Sequence, residues 1–199
     1  MTRADQEKDK YRRMWNCWQY RLNSPGERLV GTFLKHAAWE KGDSLIDVGC
    51  GTGRAAKALW EKGFRVTMLD IAPNAPEMSL PFFEACLWDL PGTPYYDWFY
   101  CTDVMEHIPP EHVDQSLYNL SEMADRGFFQ IALCQDGCGD LIGERLHLTV
   151  RPHLWWLSKL TKHWIVTVLP DQQAERLVCL VETRLKVPEN RTKLPNTEV

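Results

Sequence analysis

The 199-residue sequence predicts an α/β fold of three layers, doubly wound, with a seven-stranded mostly parallel sheet whose last strand is antiparallel. Three observations predict it. Apolar runs of strand length alternate with helical patterns along most of the chain, and a glycine-rich turn joins the first such run to a helix. Two strand-like runs joined by a short polar connection then close the chain, as an antiparallel hairpin at a sheet edge does. The length suits one domain, residues 1–199, and 44% hydrophobic residues with a net charge of −4 exclude a disordered chain or a fibrous repeat.

Residues 1–23 are polar yet carry Tyr11, Trp15, Trp18 and Tyr20, too many aromatic side chains for a solvated tail, so one short docked helix is expected there. The core, 24–187, opens at Ser24-Pro25-Gly26-Glu27, which reads as a helix start with Ser as N-cap, Pro in the first turn and Glu completing a capping box. Leu29, Val30, Phe33, Leu34, Ala37 and Ala38 keep helical spacing before Gly42 stops the run. Strand Ser44–Val48, helix 54–62, strand Arg65–Asp70 and a Pro-rich loop 73–81 follow. Next come strands Phe82–Leu87 and Trp98–Thr102, and a helix 110–126 with Val113, Leu117, Leu120 and Met123 on one face. Strand Phe128–Cys134, an irregular stretch 135–150, helix Pro152–Leu160, and strands Trp164–Leu169 and Arg176–Val187 about the turn Pro170–Glu175 complete the core. Residues 188–199, with Pro188 and Pro195, read as a flexible tail.

Both signs of charge are spread along the chain, so no basic face is expected to track long nucleic acid. No apolar run approaches the ~20 residues of a membrane span, and the charged N-terminus is unlike a signal peptide; a cytoplasmic protein is expected. Seven cysteines, four of them (Cys86, Cys101, Cys134 and Cys179) inside apolar runs, fit reduced thiols. Cys134, Cys138, His147 and His153 lie close in sequence, but without a C-x-x-C pair no metal is expected.

The most informative segment is Leu45-Ile46-Asp47-Val48-Gly49-Cys50-Gly51-Thr52-Gly53, an apolar strand running straight into a helix start. Glycines there let the backbone turn sharply and approach a ligand at the carboxyl edge of a sheet. Its D-x-G-x-G-x-G spacing differs from the dinucleotide G-x-G-x-x-G, which disfavours a nicotinamide-dependent reductase. This segment resembles the first motif of the class I S-adenosylmethionine-dependent methyltransferases, Rossmann-like enzymes, and the resemblance extends over about residues 40–135 and to the closing hairpin. It implies that Gly49, Cys50, Gly51 and Gly53 lie along the methionine part of S-adenosyl-L-methionine, and that Asp47 orients its amino group.

Asp70 ends the second strand, where a carboxylate can accept both ribose hydroxyls of a nucleoside or, alternatively, cap the following turn. Ile71 would then pack on the adenine. Trp88-Asp89-Leu90-Pro91 is similar to the family's third motif, which implies Asp89 on the adenine amino group and Leu90 over the ring; an Asp that forms a turn before Pro91 is the other reading. Thr102-Asp103-Val104-Met105-Glu106-His107-Ile108-Pro109 resembles a segment common in members that methylate small molecules, placing Thr102 and Asp103 at the cofactor edge. The Asn/Asp-Pro-Pro-aromatic and Pro-Cys motifs of DNA base methylation are missing.

His107 is a candidate general base, as is His147 in the segment after the fifth strand, although Glu106 and His107 equally read as loop-fixing groups. Arg145, Trp155 and Trp156 are acceptor-pocket candidates, with the two tryptophans as readily anchoring a helix in the core. Tyr11 and Trp15 would close a lid. The function expected is methyl transfer from S-adenosyl-L-methionine to a small-molecule acceptor, releasing S-adenosyl-L-homocysteine. A non-catalytic cofactor-binding partner subunit and a protein methyltransferase are the alternatives.

Overall fold

Strand β1 (Ser44–Val48) is buried along its whole length between two parallel neighbours, β2 (Arg65–Asp70) and β4 (Tyr96–Thr102). A strand covered on both faces needs apolar residues in succession rather than in alternation, and Leu45-Ile46-Asp47-Val48 departs from that only at Asp47. The computed structural model describes residues 1–72, 79–170 and 175–183. Its sheet has seven strands in the order β3-β2-β1-β4-β5-β7-β6, with β3 at Phe82–Glu84, β5 at Ala124–Ala132, β6 at Trp164–Val168 and β7 at Arg176–Thr183. Only β7 is reversed, pairing antiparallel with both β5 and β6. The chain winds outward from β1 through β2 to β3, then crosses back to β4 on the other side. That reversal opens a crevice beyond the carboxyl ends of β1 and β4, where ligands of open α/β sheets bind.

Successive strand residues feed opposite cores. Leu45, Trp98, Phe128 and Val178 pack with α3 (Pro25–His36) and α4 (Arg54–Glu61), whereas Ile46, Phe99, Phe129 and Cys179 pack with α5 (Val113–Met123) and α6 (His153–Leu160). The three layers are therefore helix, sheet and helix. Two further helices, α1 (Arg3–Trp15) and α2 (Trp18–Arg21), replace the one expected before residue 24; α1 starts with a capping box between Thr2 and Asp5.

Several boundaries differ from the sequence reading. Ser24 makes no side-chain cap, because its φ of −141° and ψ of 80° lie outside the extended region from which a cap reaches the first-turn amides. Helix α3 ends at His36, with Ala37 already extended. Strand β3 stops at Glu84 rather than Leu87: its partner β2 ends opposite, at Asp70, and the chain then turns, with the Asp89 N–H donating to the Cys86 carbonyl at 3.0 Å. Pro110–His112 is a 3-10 turn, and α5 ends at Met123, the last residue of its apolar stripe. Ala124 to Arg126 join β5 instead, since Tyr96, Trp98 and Glu182 offer them ladder partners, and β5 ends at Ala132. Residues 73–78 of the Pro-rich loop, 171–174 of the last turn, the end of the last predicted strand and the tail 188–199 lie outside the described residues.

Candidate functional site

The turn after β1 requires glycine at two points. Gly49 (φ +67°) and Gly51 (φ +55°) are left-handed, and a Cβ would stand 2.3 Å from Val104 at the first and 2.9 Å from the Trp15 ring at the second. The Gly49 and Cys50 amides donate to the Leu69 carbonyl at 2.8 and 3.0 Å, which pins the turn to the end of β2. Asp70 completes the link: its Oδ2 accepts from the Gly51 N–H at 3.0 Å and its Oδ1 from the Ala72 N–H at 3.2 Å. Burial raises the Asp70 carboxyl to about 6 against the pull of these amides. Burial, helped by the Asp70 charge, raises Asp47 to about 8, and Asp47 Oδ2 has no hydrogen-bond partner among the described residues. Burial likewise pushes the Cys50 thiol up.

Two cavities adjoin this turn. The first is bounded by Asp70, Ile71, Leu87, Trp88, Tyr11 and His107. The second is bounded by Asp47, Cys50, Gly51, Thr102 and Asn23. Trp15, Tyr20, Gly49 and Asp103 line both and so stand between them. Asp103 holds a φ of +60°, and its N–H donates to the Gln130 carbonyl at 3.0 Å. Of the predicted site residues, Gly53 caps the start of α4 and lines neither cavity. Asp89 is exposed and Leu90 packs against the core; their neighbours Leu87 and Trp88 reach the first cavity instead. Arg145 is exposed, Trp156 is fully buried and Trp155 packs on the same core, so the two tryptophans anchor α6.

A histidine cluster lies at the edge of the first cavity. Tyr11 Oη sits 2.6 Å from His107 Nδ1, which also faces the Leu146 carbonyl at 3.2 Å. The His107 and His147 rings meet edge to face with centroids 4.7 Å apart. His147 is buried behind His107 rather than in the cavity wall, and its Nδ1 donates to the Cys134 carbonyl at 2.6 Å. Burial first, with the His147 ring adding to it, lowers His107 to about 4, so its imidazole is neutral at neutral pH and able to accept a proton. Glu106 is wholly buried and accepts from the Ala132 N–H at 2.7 Å; burial and the nearby Asp103 push its carboxyl well up.

Helix α1 borders both cavities, through Glu7, Tyr11 and Trp15 at the first and through Trp15 at the second. Lys10 and Glu7 form a buried pair on its inner side, with Lys10 Nζ donating to the Arg145 carbonyl at 3.4 Å. Arg13 pairs with Glu144 on one flank and Lys8 with Glu84 on the other. Sequence reasoning missed Glu7, Lys10, Trp88 and the lining role of Tyr20. Only the excess of aromatic residues before residue 24 signalled any of these, since a Glu and a Lys three apart on a polar helix look solvated.

A family model described as a methyltransferase domain matches residues 8–163. The chain is 48% identical over 54 residues to malonyl-[acyl-carrier protein] O-methyltransferase of Serratia marcescens, a match covering 27% of this chain and 20% of that protein. It is 30% identical over 86 residues to ubiquinone biosynthesis O-methyltransferase of Rickettsia typhi, covering 38% of this chain and 34% of that one. The matched region thus spans about a third or less of these relatives. Among solved structures, the magnesium protoporphyrin IX methyltransferase of Synechocystis PCC 6803 with bound SAH superimposes with a TM-score of 0.63 at 19% identity, covering 88% of this chain and 93% of that one. The PH0226 protein of Pyrococcus horikoshii OT3 gives 0.67 at 14% identity, covering 85% and 93%. These structural likenesses concern the fold, while the family match takes in β1 to α6 and the whole glycine turn. The chain belongs to the methyltransferase domain family.

Proposed function

We propose that the protein is an S-adenosyl-L-methionine-dependent methyltransferase acting on a small molecule by in-line methyl transfer. The observation that carries this reading is the bond from the Gly51 N–H to Asp70 Oδ2, which joins the glycine turn and an acidic strand end into one cradle between the two cavities. The donor set fits the cofactor. Asp47 offers a buried acceptor atom without a partner among the described residues, suited to an ammonium group. Asp70 offers its carboxylate to ribose hydroxyls, and Ile71, Leu87 and Trp88 offer apolar cover for a purine. Thr102 and Asp103 border the methionine end, and Asp89 and Leu90 act from the segment that supplies Leu87 and Trp88.

When bound, the cofactor supplies a methyl group on a sulfonium and leaves as S-adenosyl-L-homocysteine. The chain's own work is to align an acceptor, keep water out with α1, and take a proton where the acceptor carries one. His107 borders the first cavity as a neutral imidazole and is the proposed base; His147, behind it, is the second. The cover formed by α1 favours a small acceptor over a protein chain. One domain over residues 1–199, with 1–23 as the cover, and a cytoplasmic location belong to the same reading; seven unpaired thiols suit a reducing compartment. No described helix is long and apolar enough to cross a membrane.

The test is calorimetric titration of S-adenosyl-L-methionine and S-adenosyl-L-homocysteine into the protein, with NADH as control. Binding of both, weakened about 100-fold or more in Asp70→Ala by loss of charge-assisted hydrogen bonds, is expected. A folded protein that binds neither overturns the reading.

A further inference from the structure

We propose that Glu106, His107 and His147 form a binding site for one divalent transition-metal ion of the zinc class. One ring nitrogen of each histidine and a carboxylate oxygen of Glu106 lie within 4.8 Å of one another. Donors about 2.0–2.2 Å from a tetrahedral zinc ion stand about 3.3–3.6 Å apart, so side-chain rotations that draw this trio together by about 1 Å bring it into range. The donor set, two imidazoles and a carboxylate, is one that borderline ions such as zinc and iron(II) accept, whereas magnesium and calcium prefer oxygen alone.

The second observation is independent of that spacing. Glu106 is fully buried, its Oε1 accepts from the Ala132 N–H, its Oε2 has no donor among the described residues, and the other side chain within hydrogen-bond reach of its carboxyl is a second acid, Asp103. A buried carboxylate oxygen left this way is costly unless a proton or a cation satisfies it. The proton placement on the rings is compatible with this. A backbone carbonyl only accepts, so His147 Nδ1 bonded to the Cys134 carbonyl must carry the hydrogen, which leaves the lone pair on Nε2. His107 Nδ1 faces the Leu146 carbonyl in the same way, and the Tyr11 hydroxyl beside it can accept as readily as donate. Imidazoles that ligate metal characteristically give their other N–H to such a carbonyl. Asp103 adds negative charge nearby, which favours a dication.

The site ties the turn after β4 to the segment after β5, two stretches 40 residues apart in sequence. It is distinct from Cys134, Cys138 and His153, whose nearness to His147 in sequence first raised the question of zinc. It does not rest on the methyl-transfer reading. With both lone pairs on an ion, neither ring can take a proton, so metal loading and base use of His107 exclude each other.

The test uses the full chain, stripped with a chelator and dialysed, then titrated with Zn²⁺ against a chromogenic chelator and with Co²⁺ by visible absorption. One equivalent of Zn²⁺ is expected, with affinity about tenfold or more weaker in Glu106→Gln and in His147→Gln and unchanged in His153→Gln. Glu106→Gln keeps an acceptor for the Ala132 amide and His147→Gln a donor for the Cys134 carbonyl; thermal melts check that both fold. If either fails to fold, the Co²⁺ spectrum of the unaltered protein decides: nitrogen-ligated d–d bands support the site, and their absence overturns it. Absence of stoichiometric Zn²⁺ binding, or binding that neither folded variant weakens, also overturns it. Calorimetry with S-adenosyl-L-homocysteine on the same samples shows separately whether the cofactor reading stands.

Discussion

Asp47 and Asp70 hold two carboxyls in one buried turn, and the protein without cofactor bears the cost. Their native pKa values are raised to about 8 and about 6, so the folded state keeps protons that the unfolded chain has already released above about pH 4. Stability from these groups is greatest at low pH and falls as pH rises through each native value. His107 acts oppositely, its value lowered from 6.5 to about 4, so that stability is gained as pH rises across that interval. Below 6.5 the gain from this one imidazole offsets the loss from only one of the two carboxyls, and between there and about 8 the loss from Asp47 is unopposed. Thermal midpoints of the ligand-free protein should therefore drop between pH 6.5 and 8, and Asp47→Asn should make the drop shallower. Gly51→Ala should destabilise by about 1–2 kcal/mol in denaturant titration, because φ is left-handed and the new Cβ meets Trp15. At this scale the sequence was most legible where a residue type is forced by geometry, as at Gly49 and Gly51. It was least legible at Glu106 and His147, whose proximity depends on how the segment after β5 folds back.

Helix α1 is fastened at its rim by solvated pairs and on its inner side by the buried Glu7–Lys10 pair and a few packed side chains. The Arg13–Glu144 pair is 44% and 43% exposed, and such solvated pairs contribute at most about 1 kcal/mol each. Its inner contacts, Met14, Trp15 against Gly51 and Tyr11 on His107, are few beside those of a sheet strand. Amides of α1 should accordingly exchange with deuterium faster than those of β1 and β4, and saturating S-adenosyl-L-homocysteine should slow them. Equal protection in the free protein would contradict that. Helices and strands of the core were readable from period alone, with β1 and β2 matching their expected bounds. The two strand misreadings share one cause, since Ala124 to Arg126 and Ala85 to Leu87 take their conformation from the presence or absence of a ladder partner. No local pattern encodes that.

The seven-stranded sheet has one irregularity of order, β7 inserted between β5 and β6. The alternation of strands and helices made the layers and the closing hairpin legible, but not which of its two strands touches the rest. Removing β7 leaves β5 with a bare edge beside Phe128 and Phe129 and deprives β6 of its one sheet neighbour among the described residues. A chain stopped before Arg176 should therefore aggregate and be cut rapidly by protease, where the full chain resists. The same order bears on synthesis. While the chain leaves the ribosome, β1 to β5 can assemble as they emerge, but β6 must wait unpaired, with Trp164 and Val166, which the finished fold covers, exposed until β7 follows it out and fills the gap. The interval between those two strands is when a nascent chain of this protein is most in need of a chaperone's protection.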